Sequence, residues 1–263
     1  AAPRPLRLRL RGLAFGSSIY ALTLGRARPR VLRMVPPDPW PGDADLGAAM
    51  VGGLYRFAGQ TVQAESPTWL PLGVGEDHLA ELNGFEWLRA LRALGGDAAR
   101  RHARRLIGDW LDRHDHWHEL LWRPDVLGQR IASWIAAHDF YCASADDDFR
   151  QRIFASLARQ HRHLCRTVPG AQHGLSLIVA LKGLIYGALA LPGAERRLPG
   201  ALRLLDLELE RQVLPDGGHI QRSPAAQVAM LRHLIDVRGA LRAVPSSEGL
   251  SAEPSDMLQH AID

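Results

Sequence analysis

From about residue 72 onward the apolar residues recur at intervals of three and four, and no convincing alternation at intervals of two interrupts them. That periodicity admits helices and excludes a sheet as the scaffold of the body. Leu79, Leu82, Phe85, Leu88, Leu91 and Leu94 form one stripe, stopped by Gly95-Gly96; Ala99, Ala103, Leu106, Ile107, Trp110 and Leu111 form the next, over about 97–114. Further helices are expected over about 124–141, over 146–167 with an acidic opening suited to a helix N-terminus, and over 174–191, 194–214 and 224–244. The starts at Asp77, Asp125, His173 and Ser223 lie about 48 residues apart, the length of a two-helix hairpin with its turns. Successive αα-hairpins either stack into an open superhelix or curl toward an (α/α) toroid around a central cleft. The fold class is therefore all-α, with residues 72–263 as the helical body.

Residues 1–71 read differently, as an extended arm lying on that body. Its opening is basic (Arg4, Arg7, Arg9, Arg11), and the run Val35-Pro36-Pro37-Asp38-Pro39-Trp40-Pro41 cannot be helix interior, because each proline removes a donor and restricts its predecessor. At the other end, 246–254 is a polar loop and 255–263 begins another helix. A composition of 46% hydrophobic and 23% charged residues excludes disorder. The most apolar run, Leu175 to Leu191, is interrupted by Lys182 and glycines, so no membrane-spanning helix and no membrane partner are expected. Two cysteines exclude a disulfide scaffold. No apolar leader with a cleavage site is visible, which places the protein in the periplasm if a leader precedes Ala1 and in the cytoplasm otherwise.

The net charge is +4, and Lys182 is the only lysine among 32 basic residues, leaving 31 arginines. The planar guanidinium fork matches carboxylate, sulfate and phosphate, so this usage is compatible with an anionic partner. Arg100, Arg101, Arg104 and Arg105 read as a solvated helix face without the interleaved aromatics of a nucleic-acid site, and no nucleic acid is expected. His114, His116 and His118 alternate, as three zinc ligands on a strand would, but they are flanked by helices and lack a carboxylate or cysteine at ligand spacing; a polar loop is the expectation, with no metal and no cofactor.

The densest stretch is Leu214-Pro215-Asp216-Gly217-Gly218-His219-Ile220-Gln221-Arg222-Ser223-Pro224. Two long helices are joined here by a turn that delivers His219, Gln221 and Arg222 just before Ser223, a good N-cap, and Pro224, a good first helical residue. A helix N-terminus, an arginine fork and a histidine within a few residues suit a carboxylate, although a solvated turn would have the same composition. Trp122, Arg130 and Trp134 form a second group that serves either as a sugar-stacking cleft or as core. Lys182 on an otherwise apolar helix either snorkels outward or points into a cleft, where Tyr186 one turn on shares its face.

The segment LPDGGHIQRSP resembles the heparinase II/III-like polysaccharide lyases, whose toroid domains carry Leu-Pro-Asp-Gly-(Gly/Ser)-His followed by an arginine and Ser-Pro. The resemblance implies a carbon–oxygen lyase that cleaves an acidic, uronate-containing polysaccharide or oligosaccharide by β-elimination, with His219 and Arg222 holding the uronate carboxylate as the C5 proton leaves. It also implies Trp122, Arg130 and Trp134 as cleft residues; Lys182, Tyr186 and Gln221 join them as substrate-binding candidates on their own placement in the sequence. Members that continue Ser-Pro with a Tyr-His pair differ from this chain, which reads Ala225, Ala226, Gln227. The family's tyrosine lies tens of residues past the motif and a further histidine comes from a C-terminal β-sandwich; only 44 residues follow His219 here and none is tyrosine, so this segment alone is expected to be inactive. The alternative from another class is a helical-repeat scaffold that binds an acidic protein or nucleic acid without catalysis.

Overall fold

The computed structural model describes residues 12, 14–25, 29–65, 67–168, 173–245 and 254–262. The basic lead with Arg4, Arg7, Arg9 and Arg11, most of the polar segment 246–254, and Asp263 lie outside the described residues.

The N-terminal seventy residues hold more regular structure than their composition suggests. Helix α1 spans Ser18–Leu24 and α2 spans Ala44–Val51, capped by Asp43, whose carboxylate accepts from the amides of Asp45 and Leu46. Strands β1 (Leu54–Phe57) and β2 (Gln60–Gln63) pair antiparallel, Leu54 with Gln63 and Phe57 with Gln60. Ala58 and Gly59, at φ 47° and 74°, make the two-residue turn between them, where both central residues need positive φ. The expectation of one extended arm over 1–71 is thus corrected: the proline run is extended, while helices and a hairpin flank it. Tyr55 and Phe57 point inward on β1, and they give the hairpin a reason to dock.

In the body, α3 (Glu76–Gly84) and α4 (Leu88–Leu94) replace the single expected helix. Phe85 breaks it with φ 61°, which sends its ring into an aromatic cluster, 5.3 Å from Trp69 and 5.2 Å from Trp134. Next come α5 (Gly96–His114), α6 (Pro124–Ala136) and α7 (His138–Cys142), the last two separated at Ala137 where one continuous helix was expected. Helix α8 (Asp147–Thr167) opens with Asp146 accepting from the Phe149 amide. Then follow α9 (Leu175–Ala190), a 3-10 turn Glu195–Arg197, α10 (Leu198–Gln212), α11 (Pro224–Arg242) and α12 (Asp256–His260). Ser223 caps α11 by accepting from the Ala226 amide, as its position predicts.

The helices that open near the 48-residue marks are α3, α6, α9 and α11, and they pack in that order, α3 on α6, α6 on α9, α9 on α11. Helices α5, α8 and α10 pack behind them. The hairpins therefore curl as an incomplete (α/α) toroid whose inner helices follow the sequence period. The tightest seam lies between α6 and α9, where Gly128 and Gly183 bring the two backbones together: a Cβ on Gly183 would sit 2.3 Å from the Gly128 Cα. Gly183→Ala should therefore lower stability by about 1–3 kcal/mol, the range for overpacking. Gly108→Ala, in open space within α5, should raise it by about 0.5–1 kcal/mol. Denaturant midpoints of the two variants check this; a neutral Gly183→Ala would mean that the α6 and α9 backbones do not touch.

Candidate functional site

The inner helices enclose a cleft of about 580 Å³. Ala80 and Glu81 of α3, Val126 and Gln129 of α6, Val179 of α9 and His233 of α11 contribute its walls. A second hollow of about 540 Å³ runs along the start of α11 and shares Glu86, Arg232 and His233 with the first. Beneath both lies a polar floor of Lys182, Tyr186, Asp236 and Asp38.

That floor is a closed network. Lys182 Nζ donates to Gln129 Oε1 at 3.0 Å and to Asp236 Oδ2 at 3.2 Å, and its contact with His233 Nδ1 at 3.0 Å makes that nitrogen the acceptor, so the neutral imidazole carries its proton on Nε2. Trp40, delivered by the proline run, donates its indole N–H to Asp236 Oδ1 at 2.7 Å, and the Tyr186 hydroxyl donates to the Asp236 carbonyl at 3.3 Å. Arg89 of α4 grips Asp38 with its Nε at 2.8 Å, ion-pairs with Glu86 and lies 3.7 Å from Asp236; Arg92 donates to Asp38 at 2.7 Å. Burial lowers the Lys182 pKa, against the opposing pull of Asp236 and Glu86. Burial, followed by the charges of Lys182, Arg232 and Arg89, holds His233 well below an ordinary histidine. Burial alone would raise Asp38, but the hydrogen bond and charge of Arg89, helped by Arg92, hold it below the usual carboxylate value.

The cleft is charge-balanced by its own chain. Arg56, Arg89 and Arg232 face it alongside the carboxylates of Asp43, Glu81, Glu86 and Asp125. Arg232 lies 3.7 Å from Glu86, with its guanidinium 5.0 Å from the Trp40 ring, and Asp125 is taken by Arg123 at 2.7 Å. Such a surface does not concentrate a polyanion in the way a ring of uncompensated cations does.

The residues singled out in the sequence scatter relative to this cleft. Lys182 and Tyr186 are brought together as their i, i+4 spacing predicts, but around Asp236 and under the cleft, 1% and 3% exposed. Arg130 is corrected from cleft residue to core strut: fully buried, it donates to Gln160 Oε1 at 2.8 Å and to the carbonyls of Asn83 and Leu121 at 3.0 and 2.9 Å, and stacks 4.3 Å from the Trp110 ring. Trp134 and Trp122 are corrected likewise, since both are buried, the first 5.4 Å from Trp110 and the second 5.2 Å from His163, where no sugar reaches. The physical reason is shared by the two tryptophans: on α6 (Trp134) or in the turn that leads into it (Trp122), a large aromatic buries more apolar area in the core than it could against a wet ligand.

The LPDGGH turn folds back on α11 rather than into the cleft. His219 is 2% exposed; its amide donates to Gln227 Oε1 at 2.6 Å and its Nδ1 accepts from the Gln221 amide at 3.1 Å. Its buried Nε2 has no hydrogen-bond partner among the described residues. Arg222, at φ 50°, turns its exposed guanidinium onto Asp216 Oδ2 at 2.6 Å, and this contact, with the Gly218 amide, lowers the Asp216 pKa. Gln221 is exposed, and none of the three is among the residues lining the cleft. At the histidine triplet, His118 Nδ1 accepts from the Leu120 amide at 3.3 Å and organises a turn, not a strand; among the described residues no three metal-capable side chains come together. The cleft residues that sequence reading missed are Glu86, Arg89, His233 and Asp236. The available signal was polar residues at i, i+3 on the inner helix α11 (His233, Asp236), on the face that Lys182 also requires.

No protein-family model matches the sequence. FtsZ-localized protein C of Caulobacter vibrioides is 34% identical over 241 residues, which are 90% of this chain and 42% of that protein. The chain thus spans about two fifths of the length of the curated relative it matches. Among solved structures, a heparan sulfate lyase of Pedobacter heparinus superposes with a TM-score of 0.65 over 85% of this chain and 38% of that one, at 16% identity. Heparinase III superposes with a TM-score of 0.65 over 97% of this chain and 43% of that one, at 15% identity. The chain shares the helical-toroid fold of these lyases, and likeness at such identity is a likeness of fold.

The buried histidines make a pH prediction. His161 and His163 are lowered from 6.5 to about 4, by burial first and then, for His163, by Arg166. The native state excludes protons that the unfolded chain accepts, so the stability these groups contribute is complete above pH 6.5 and is lost as pH falls toward about 4. His233 steepens the same fall from within the cleft floor. Urea midpoints measured across that window should decrease steadily; a flat profile would show that these histidines are not held neutral.

Proposed function

We propose that this chain is a protein-recognition domain built on a polysaccharide-lyase fold, and that its cleft holds a segment of a partner protein. The observation that carries this reading is the charge balance of the cleft. Removing a uronate C5 proton builds negative charge on the carboxylate, and stabilising it requires a cation or donors that are free to meet it. Here Lys182 is bound to Asp236, Arg89 to Asp38 and Glu86, and Arg222 to Asp216. The cleft instead offers apolar walls, including Phe57, Trp87, Val126 and Val179, with charges of both signs at its rim, a surface suited to a mixed polypeptide segment. The relative's name places that protein with FtsZ, and this supports an FtsZ-containing assembly as the partner here. The shares of the longer proteins that the chain covers support a helical domain over 72–263 that works as one part of a larger protein, with a C-terminal β-sandwich as the proposed companion.

A second reading, a lyase completed by that further domain, is supported by the fold likeness and by the LPDGGHIQRSP segment. One pair of assays separates the two. The natural full-length protein should co-sediment with FtsZ polymers, and Val179→Arg, which fills the cleft from its wall, should abolish co-sedimentation while the helical circular dichroism persists. Heparin, heparan sulfate and alginate should yield no ultraviolet absorbance from unsaturated uronate. Appearance of that absorbance, and its loss in folded His219→Ala or Arg222→Ala variants, would establish the lyase instead.

A further inference from the structure

The network under the cleft leaves one polar atom open. Lys182 holds His233 Nδ1 from below, which fixes the ring with its proton on Nε2, and the two ring nitrogens point away from each other. That Nε2 has no hydrogen-bond partner among the described residues and, unlike the corresponding nitrogen of His219, it is not sealed from solvent. His233 lines the cleft and the hollow along α11 but not the space beneath them, so this donor faces the open side.

Its position is as specific as its orientation. His233, Arg232 and Glu86 stand where the cleft of about 580 Å³ meets the hollow of about 540 Å³. Trp87 and Val179 give the first an apolar wall, and Ala225, Val228 and Ala229 give the second another; Val228 is 58% exposed. The cations that act on the ring are already matched, Lys182 by Asp236, Arg89 by Asp38, and Arg232 by Glu86 at 3.7 Å, with the Arg232 guanidinium lying over Trp40. A neutral donor among balanced charges calls for a neutral acceptor, since a carboxylate placed there would meet Glu86 and Asp236.

We propose that His233 reads the partner segment, donating its Nε2–H to a main-chain carbonyl where the segment passes from the cleft into the hollow along α11. This rests on the cleft being a protein-recognition site. A carbonyl inside a helix is already taken by the N–H four residues on, so the segment crosses His233 in extended form, uncharged at that point and with an apolar side chain in each of the two spaces.

The two amide substitutions of His233 separate this role from a structural one. H233N keeps an acceptor for Lys182 at the place of Nδ1 and removes the outward donor. H233Q carries an amide N–H to the place of Nε2 and leaves Lys182 with Gln129 and Asp236. In co-sedimentation of the natural full-length protein with FtsZ polymers, H233N should bind about tenfold more weakly at a near-native denaturant midpoint, the loss expected for one unmade hydrogen bond in a desolvated site, while H233Q should stay within about threefold of native at lower stability. V228D should weaken binding as well, and L207D, at an exposed apolar residue of α10 outside both spaces, should not. Affinity should be the same at about pH 6 and about pH 8, because a neutral ring on a neutral carbonyl exchanges no proton. Native-like binding by H233N while Val179→Arg fails to bind would overturn this inference and leave the recognition cleft standing. So would loss of binding in folded H233Q, or tighter binding at the lower pH that H233N abolishes, the mark of a carboxylate on a protonated ring. Failure of the native protein itself to co-sediment would remove both.

Discussion

The ion pair between Lys182 and Asp236 holds the inner wall of this protein together. Its two members belong to α9 and α11, and both are buried, so each is tolerable only because the other is present and the remaining valences are filled. Gln129 and His233 complete the lysine, and Trp40 completes the carboxylate. Through Trp40 the pair also fixes the proline run, and through Arg89, shared between Asp236 and Asp38, it fixes α4. Four separate stretches of chain thus meet at one lysine. The prolines contribute by stiffening the approach of Asp38 and Trp40, which reduces the entropy lost when they dock.

Much of this fold was legible in the sequence. Three- and four-residue periodicity gave the helices, and the 48-residue spacing gave the αα-hairpins; that the opening helix of each hairpin lines the cleft emerges only from the structure. The breaks at Phe85 and Ala137 were not legible, since apolar periodicity continues across both and the cause of the first is a tertiary aromatic cluster. The hairpin over Leu54–Gln63 was written in the alternation of Tyr55 and Phe57 with Arg56 and in the Ala58-Gly59 turn, but the prolines before it dominated the reading of that region.

The site was harder. A helix facing inward in a toroid and a helix facing its neighbour show the same apolar stripe, so Trp122, Arg130 and Trp134 could be read either way, and the structure puts all three in the core. The partners that decide the fate of Lys182 lie 51 to 54 residues away along the chain, which leaves no local signal. The arginine excess separates into distinct uses: Arg130 stacks in the core, Arg89 and Arg123 neutralise carboxylates, and a set near the α9–α10 turn is gathered around a pocket. Lysine in place of Arg130, Arg89 or Arg123 would supply charge but not the planar, multiply bonded fork that each of these three uses.

The account rests on Lys182 being a structural member satisfied from within and not a group kept for a ligand, and a double-mutant cycle on stability tests it most directly. Lys182→Met and Asp236→Leu should each destabilise the protein by about 3–5 kcal/mol, because each leaves the other charge buried and alone, while the double variant should recover most of that loss. Losses that simply add, or a Lys182→Met variant as stable as the native protein, would contradict the account and return the lysine to the cleft as a free cation.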